Sequence, residues 1–278
     1  MITWLASYPK SGNTWVRVFL TNYLRGGNAP VDINALMGGP IASARQCFDE
    51  WVGVEASLLD DALIERLRPD VYRCMVRENP EMLYMKVHDA WRCTDLGDAL
   101  FPADVTAGVI YIVRNPLDLL ASVAHHYGMT PAAAAAMLGD ADYAIARSLG
   151  ALNDQLRQRL GTWSDHVRSW IDFSQLRTHA VRYEDLLACP EDAFARIVHF
   201  CGLPFCQERL HQAMRFSRFD ELQRQEREKG FREQFFEASG AFFRRGRAGG
   251  WREELSPELV AQVLADHGAV MRRFGYWE

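Results

Sequence analysis

The chain has 278 residues, 49% hydrophobic and 24% charged, and its 31 basic against 36 acidic residues leave a formal net charge of −5. The composition excludes a disordered chain, and the charge excludes a molecule whose overall field gathers nucleic acid or anionic lipid, so any anion site has to be local. Six cysteines without a CxxC pair, in a chain long enough to need no disulfide staples, suit a reducing cytoplasm.

The first element is "ITWLASY" at residues 2–8, an apolar run ending in Ser, Tyr and Pro. Trp15, Val18, Phe19 and Tyr23 follow near helical spacing, which predicts strand, tight loop and helix. Lys10, the first basic residue, comes after this apolar stretch, the wrong order for a signal peptide. Ser57 before "LLDDALIERL" predicts a capped helix, and "MLYMKVH" at 82–88 a strand. "GVIYIVRNPLDLLASVAHHY" repeats strand, loop and helix: Val109 to Val113 is rich in β-formers, Asn115 caps, and Pro116 suits the first helical position. The Ala run at 132–136 is a helix fragment, and "WSDHVRSW" places Trp163, Val167, Trp170 and Ile171 at helical spacing as core.

"HAVRYEDL" at 179–186 reads as a strand ending in charge. Pro190 opens a helix that Gly202 stops, and Ser256 opens another over "SPELVAQVLADHGAVMRRFG". No run approaches the ~20 apolar residues of a membrane span. Strands alternating with helices predict an α/β fold with a central parallel sheet flanked by helices, and the lack of a linker or repeat predicts one domain over 1–278. The stretches 28–56, 127–162 and 220–243 lack clear periodicity and are expected to wall the site at the carboxyl ends of the strands. Within the last, "DELQRQEREKGFREQ" mixes signs closely and reads as a solvated helix.

A strand that feeds the small-residue loop "YPKSGNTW" and then a helix presents unpaired N–H groups and the positive helix end to one point. Lys10 adds a full charge, and Ser11, Asn13 and Thr14 add side-chain donors. The ATP loop GxxxxGK[ST] does not fit, because Pro9 stands where its second Gly belongs. Nor does "VIYIVRN" end in a magnesium-holding aspartate; it ends in Arg114, which calls for a second anionic group. "FFRRGRAGGWR" adds four arginines among glycines, a combination suited to phosphate. An ordinary capping turn is the bland alternative for "YPKSGNTW" alone.

These segments together resemble the sulfotransferases that use 3′-phosphoadenosine 5′-phosphosulfate (PAPS). "YPKSGNTW" is similar to their YPKSGTTW loop, "YIVRNPLDLLAS" to their 3′-phosphate segment, and "FFRRGRAGGW" to their RKGxxGxW segment, in the family's order. The resemblance implies a P-loop-like fold in which Lys10, Ser11, Gly12, Asn13 and Thr14 hold the 5′-phosphosulfate. By the same resemblance Arg114, Ser122, Arg244, Arg245 and Gly246 hold the 3′-phosphate, and Trp15, Tyr183, Ser217 and Phe219 surround adenine. Asn13 stands for the usual Thr, Arg245 for the usual Lys, and Arg218 departs from the common TSF.

Lys86 and His88 lie two apart at a strand end, so their side chains point the same way. The family's Lys-x-His makes His88 the general base, with Lys10 neutralising the bridging oxygen and Lys86 beside the sulfuryl oxygens. An imidazole at the ordinary pKa of about 6.5 is mostly neutral at pH 7, as a base must be. Asp89 beside it reads as an exposed strand-end carboxylate. His125 and His126 face different ways and share no metal, and one of them is a candidate to line the acceptor pocket.

The resemblance implies in-line transfer of a sulfuryl group to a hydroxyl or amine of a small molecule (phenol, alcohol, sugar or natural product). It implies 3′-phosphoadenosine 5′-phosphate (PAP) as product with no metal needed, and the cysteine usage points to a cytoplasmic location. The alternatives are a phosphate-loop small-molecule kinase and a non-catalytic nucleotide-binding protein. The family's dimer motif is not recognisable in "WREELSPELVAQ", so the oligomeric state stays open.

Overall fold

The computed structural model describes residues 1–39, 41–147, 153–233 and 240–277. Its elements begin with strand β1 (Ile2–Ser7), helices α1 (Asn13–Arg25), α2 (Arg45–Val52) and α3 (Asp61–Glu78), and strands β2 (Leu83–Val87) and β3 (Thr106–Val113). Helices α4 (Pro116–His126) and α5 (Pro131–Gly139), the short strands β4 (Ala144–Ile145) and β5 (Gln158–Arg159), and α6 (Trp163–Arg168) follow. Strand β6 (Thr178–Arg182) leads into α7 (Tyr183–Ala188), α8 (Pro190–Phe200), α9 (Gln207–Phe216), α10 (Phe219–Lys229), the short α11 (Trp251–Glu254) and α12 (Pro257–Arg273).

The main sheet is parallel, in the order β2-β1-β3-β6, and β1 runs in register with β2 from Ile2 opposite Leu83 to Ala6 opposite Val87. Every residue of β1 is buried, Thr3 and Ser7 included, as a strand covered on both faces requires, so it shows no alternation of apolar and exposed positions. Helices flank the sheet, making the fold α/β. The chain forms two compact units: Met1–Tyr8, Gly38–Tyr111 and Asp140–Ala180 make the first, and Pro9–Met37, Ile112–Gly139 and Val181–Glu278 the second.

In the first unit Trp4 meets Tyr72 and Phe101 edge-on at 5.0 Å each and donates its indole N–H to Thr106 at 2.8 Å. Glu65, Arg68 and Tyr72, spaced i, i+3 and i+7, share a buried face of α3. Arg68 forks onto both carboxylate oxygens of Asp89 at 2.9 Å, with both side chains buried. Asp89 is therefore not the exposed strand-end carboxylate expected from its position. Glu65 collects Arg92, Arg157 and Arg159. In the second unit α1 packs on α9, and α4 packs on α5, α11 and α12. Phe19 stacks on Phe194 at 4.0 Å.

Three local expectations shift. Asp60, not Ser57, caps α3, its carboxylate accepting the Leu63 amide at 2.8 Å, while Ser57 lies in a preceding 3₁₀ turn. "YEDL" is no strand but opens α7, where Glu184 and Asp185 suit the positive first turn. The mixed-sign run is a helix, α10, yet Leu222, Gln225 and Glu226 are buried. Parts of all three expected walls, residue 40, 148–152 and 234–239, lie outside the described residues. Among the described residues, no helix is long and apolar enough to cross a membrane.

Asp89→Asn removes one partner of a buried ion pair and strands the Arg68 charge. Denaturant titration should show a loss of about 3 to 5 kcal/mol; a loss under about 1 kcal/mol, typical of an exposed pair, would contradict the account.

Candidate active site

In the second unit the loop that leads into α1 is shaped by two left-handed residues, Lys10 (φ 69°) and Gly12 (φ 105°), on either side of Ser11. A non-glycine side chain in that region carries strain of the kind found at ligand-holding loops. Gly12 caps α1 without a side-chain bond, and no acidic residue stands in the helix's first turn to cancel its positive end. Ser11 Oγ is fully buried and has no hydrogen-bond partner among the described residues. A β-carbon on Gly12 would lie 2.6 Å from the Tyr183 ring, so glycine is required for that ring to close over the loop.

Arg114, directly after β3, ties this loop to the C-terminal segment. Its guanidinium donates to the Lys10 carbonyl at 3.1 Å and to the Arg247 carbonyl at 3.4 Å, and lies 4.3 Å over the Tyr183 ring. Arg114 thus joins the loop at Lys10 to the backbone at Arg247, while Arg244 and Arg245 of that segment pair with Glu254. Lys10 Nζ stands 3.4 Å over the Phe242 ring, just ahead of Arg244 and Arg245. Asn115 accepts the Leu117 amide at 3.0 Å and caps α4, which carries the half-buried Ser122.

Trp15, Tyr183, Phe219 and Phe243 form an aromatic wall around this point. Trp15 meets Tyr183 edge-on at 5.8 Å, and Phe219 meets Phe243 at 6.4 Å. Gly246 (φ 59°) approaches Phe219 so closely that a β-carbon would lie 2.5 Å from the ring. Ser217 is fully buried, but its hydroxyl donates to the Ala213 carbonyl at 2.7 Å, tying it to the last turn of α9. Asn13 and Thr14 are buried at the start of α1.

Four carboxylates that sequence reasoning passed over, or read as solvated, build the site's frame. Asp118 on α4 accepts the amides of Gly249 at 2.7 Å and Trp251 at 3.0 Å, and Glu226 on α10 accepts those of Phe242 at 2.5 Å and Phe243 at 3.0 Å. Glu254 pairs with Arg244 at 3.0 Å and with Arg245, and Glu253 with Arg247 at 2.5 Å. Their signal was present as acids near an arginine-rich segment, but their partners lie across the fold.

In the first unit Lys86 is half-buried in β2 and His88 follows the strand, 9% exposed. His88 Nδ1 lies 2.8 Å from the Ser7 carbonyl, which can only accept, so Nδ1 carries the proton and the neutral ring keeps its lone pair on Nε2. His166, read as part of a core helix, buttresses this arrangement. Its Nε2–H donates to the His88 carbonyl at 2.9 Å, and its Nδ1 accepts from the Tyr111 hydroxyl at 2.8 Å.

A family model described as "Sulfotransferase domain" matches residues 2–275. Sulfotransferase 2A6 of Rattus norvegicus is 23% identical over 270 residues, covering 94% of this chain and 80% of that protein. Cytosolic sulfotransferase 16 of Arabidopsis thaliana is 23% identical over 273 residues, covering 93% and 72%. Mouse sulfotransferase SULT7A1, solved with PAP, matches with a TM-score of 0.60 at 19% identity over 98% of this chain and 84% of that one. Retinol dehydratase, solved with androsterone and the inactive cofactor PAP, matches at 0.62 and 17% identity over 98% and 80%.

Burial pushes the His166 imidazole down from the ordinary 6.5 to about 4, with the His88 carbonyl bond acting the other way. Above pH 6.5 the ring is neutral in both the folded and the unfolded chain. As pH falls from 6.5 towards 4 only the unfolded chain takes the proton, so stability drops by up to about 1.4 kcal/mol per pH unit. Stability measured by denaturant titration as pH falls across this window should drop more steeply in the parent than in His166→Gln; equal slopes would contradict the assignment.

Proposed function

The chain belongs to the sulfotransferase family, and from that premise we propose a role for each of its motifs. It is a PAPS-dependent enzyme that transfers a sulfuryl group to an acceptor, which sets aside the kinase and non-catalytic readings. The bound donor supplies an activated sulfuryl group at its 5′ end and a 3′-phosphate as a handle. Reading residues 1–278 as one domain is supported by a family model that spans both units.

The loop Lys10–Thr14 takes the 5′ end. The orphaned Ser11 hydroxyl and the open helix terminus match an anion, and the Lys10 ammonium offsets charge growing on the leaving oxygen. Arg114, Ser122, Arg244, Arg245 and the Gly246 amide take the 3′-phosphate, and Trp15, Tyr183, Phe219 and the Ser217 turn bound the adenine. The observation that carries this reading is the pair of hydrogen bonds that Arg114 donates to the Lys10 and Arg247 carbonyls, which joins the two segments assigned to the phosphates.

His88 is the general base. The Ser7 carbonyl fixes its tautomer, so Nε2 accepts the proton that the acceptor hydroxyl or amine loses as it attacks. Lys86 stands by the sulfuryl oxygens. Transfer is in-line, cation charge comes from Lys10, Lys86 and Arg114, and no metal takes a step. Solved relatives described with androsterone and retinol support a small-molecule acceptor, and curated relatives described as cytosolic support a cytoplasmic location.

His88→Asn should lower turnover by roughly 10²- to 10⁴-fold while PAP binding, followed calorimetrically, stays at the parent value. Full turnover in this variant would remove His88 as base, and lost PAP binding would make its role structural.

A further inference from the structure

Arg244 and Arg245 already carry a counter-ion of their own. Arg244 Nη2 reaches both carboxylate oxygens of Glu254, at 3.2 and 3.0 Å, and Arg245 Nη1 reaches Oε1 of the same group. The Glu254 side chain is only 20% exposed, unlike the 64% exposed Glu253 that pairs with Arg247. Its place is fixed by the frame. Glu254 ends α11, whose first residue Trp251, with Gly249, hangs on Asp118 in the first turn of α4. Glu254 and Arg244 also line, with Ala121, Ala124 and His125 of α4, a cleft of about 340 Å³. Ser122 belongs to that same helix.

We propose that Glu254 is the resident counter-ion of the 3′-phosphate-reading arginines, displaced when a 3′-phosphate binds and taking the arginines back as it leaves. The inference rests on the assignment of Arg244 and Arg245 to the 3′-phosphate. A phosphate monoester brings nearly two negative charges and three acceptor oxygens against one charge and two oxygens, so it wins the exchange. It wins by less than it would against bare guanidinium groups, because two charged hydrogen-bonding partners are given up. Nucleotides without a 3′-phosphate do not drive the exchange and gain nothing from the arginines, so the carboxylate moderates affinity only for ligands that carry a 3′-phosphate. On release the arginines regain a partner at once, which speeds departure of PAP, a step that often limits enzymes of this kind of cycle.

The test is calorimetric binding of PAP and of adenosine 5′-monophosphate, which differs only in the 3′-phosphate, to the parent, Arg244→Ala and Glu254→Gln chains. Arg244→Ala should weaken PAP and leave the monophosphate unchanged; if PAP is unaffected, the 3′-phosphate assignment itself fails. With that control in place, Glu254→Gln should bind PAP roughly 5-fold tighter, slow its stopped-flow dissociation by a similar factor, and leave the monophosphate unchanged. Glu254→Asp, which keeps the charge on a shorter arm, should show a smaller gain. If Glu254→Gln binds PAP no better than, or worse than, the parent while Arg244→Ala behaves as expected, Glu254 is a scaffold for the arginines and the proposal is overturned.

Discussion

One guanidinium sets the geometry of the second unit's site. Arg114 leaves the end of β3, donates to the carbonyls of Lys10 and Arg247, and lies on the Tyr183 ring. Only a planar, always charged fork can do all three at once; a lysine would give a point charge with no plane to stack and no fixed pair of donors. The two carbonyls it holds belong to backbones 237 positions apart in the chain, since 247 minus 10 is 237. The loop at Lys10 and the arginine-rich segment are therefore positioned by the same side chain.

Around that fork the protein manages charge by local pairing, with a modest overall field. Asp118 and Glu226 accept four backbone amides of the segment 242–251, fixing a stretch rich in arginine and glycine that has little propensity of its own. Glu253 and Glu254 neutralise its guanidinium groups. The first unit uses the same device at depth, where the Arg68–Asp89 pair is buried and Glu65 gathers three arginines. Placing these acids next to these bases balances charge locally in a chain of formal charge −5 and holds the guanidinium groups in place.

Much of this was legible in the sequence, for physical reasons that particular residues show. β1, α1, β3 and α4 announce themselves because a buried parallel strand is an apolar run and because Asn115 and Pro116 are a local cap and start. The phosphate loop is legible because its chemistry is contiguous. What was hidden depends on partners far away in the chain. Asp89 looks like an exposed carboxylate until Arg68 is placed beside it, and His166 looks like filler until its ring reaches the His88 carbonyl. Gln225 and Glu226 are masked by the alternating charges around them, though Gln225 bonds the Ile33 amide and the Val31 carbonyl. Ser57 and Asp60 are both competent caps three residues apart, and the choice between them is made by a turn no pattern records.

The central claim is that this site reads a 3′-phosphate, and the most direct test compares thermal unfolding with PAP, with ADP, and with ATP plus magnesium. A ligand at a hundred times its dissociation constant adds roughly 2.7 kcal/mol of stability, a readily measured shift. The account predicts that only PAP stabilises strongly. Equal or greater stabilisation by ATP with magnesium would contradict it, because Arg114, Arg244 and Arg245 would then not be reading the 3′ position.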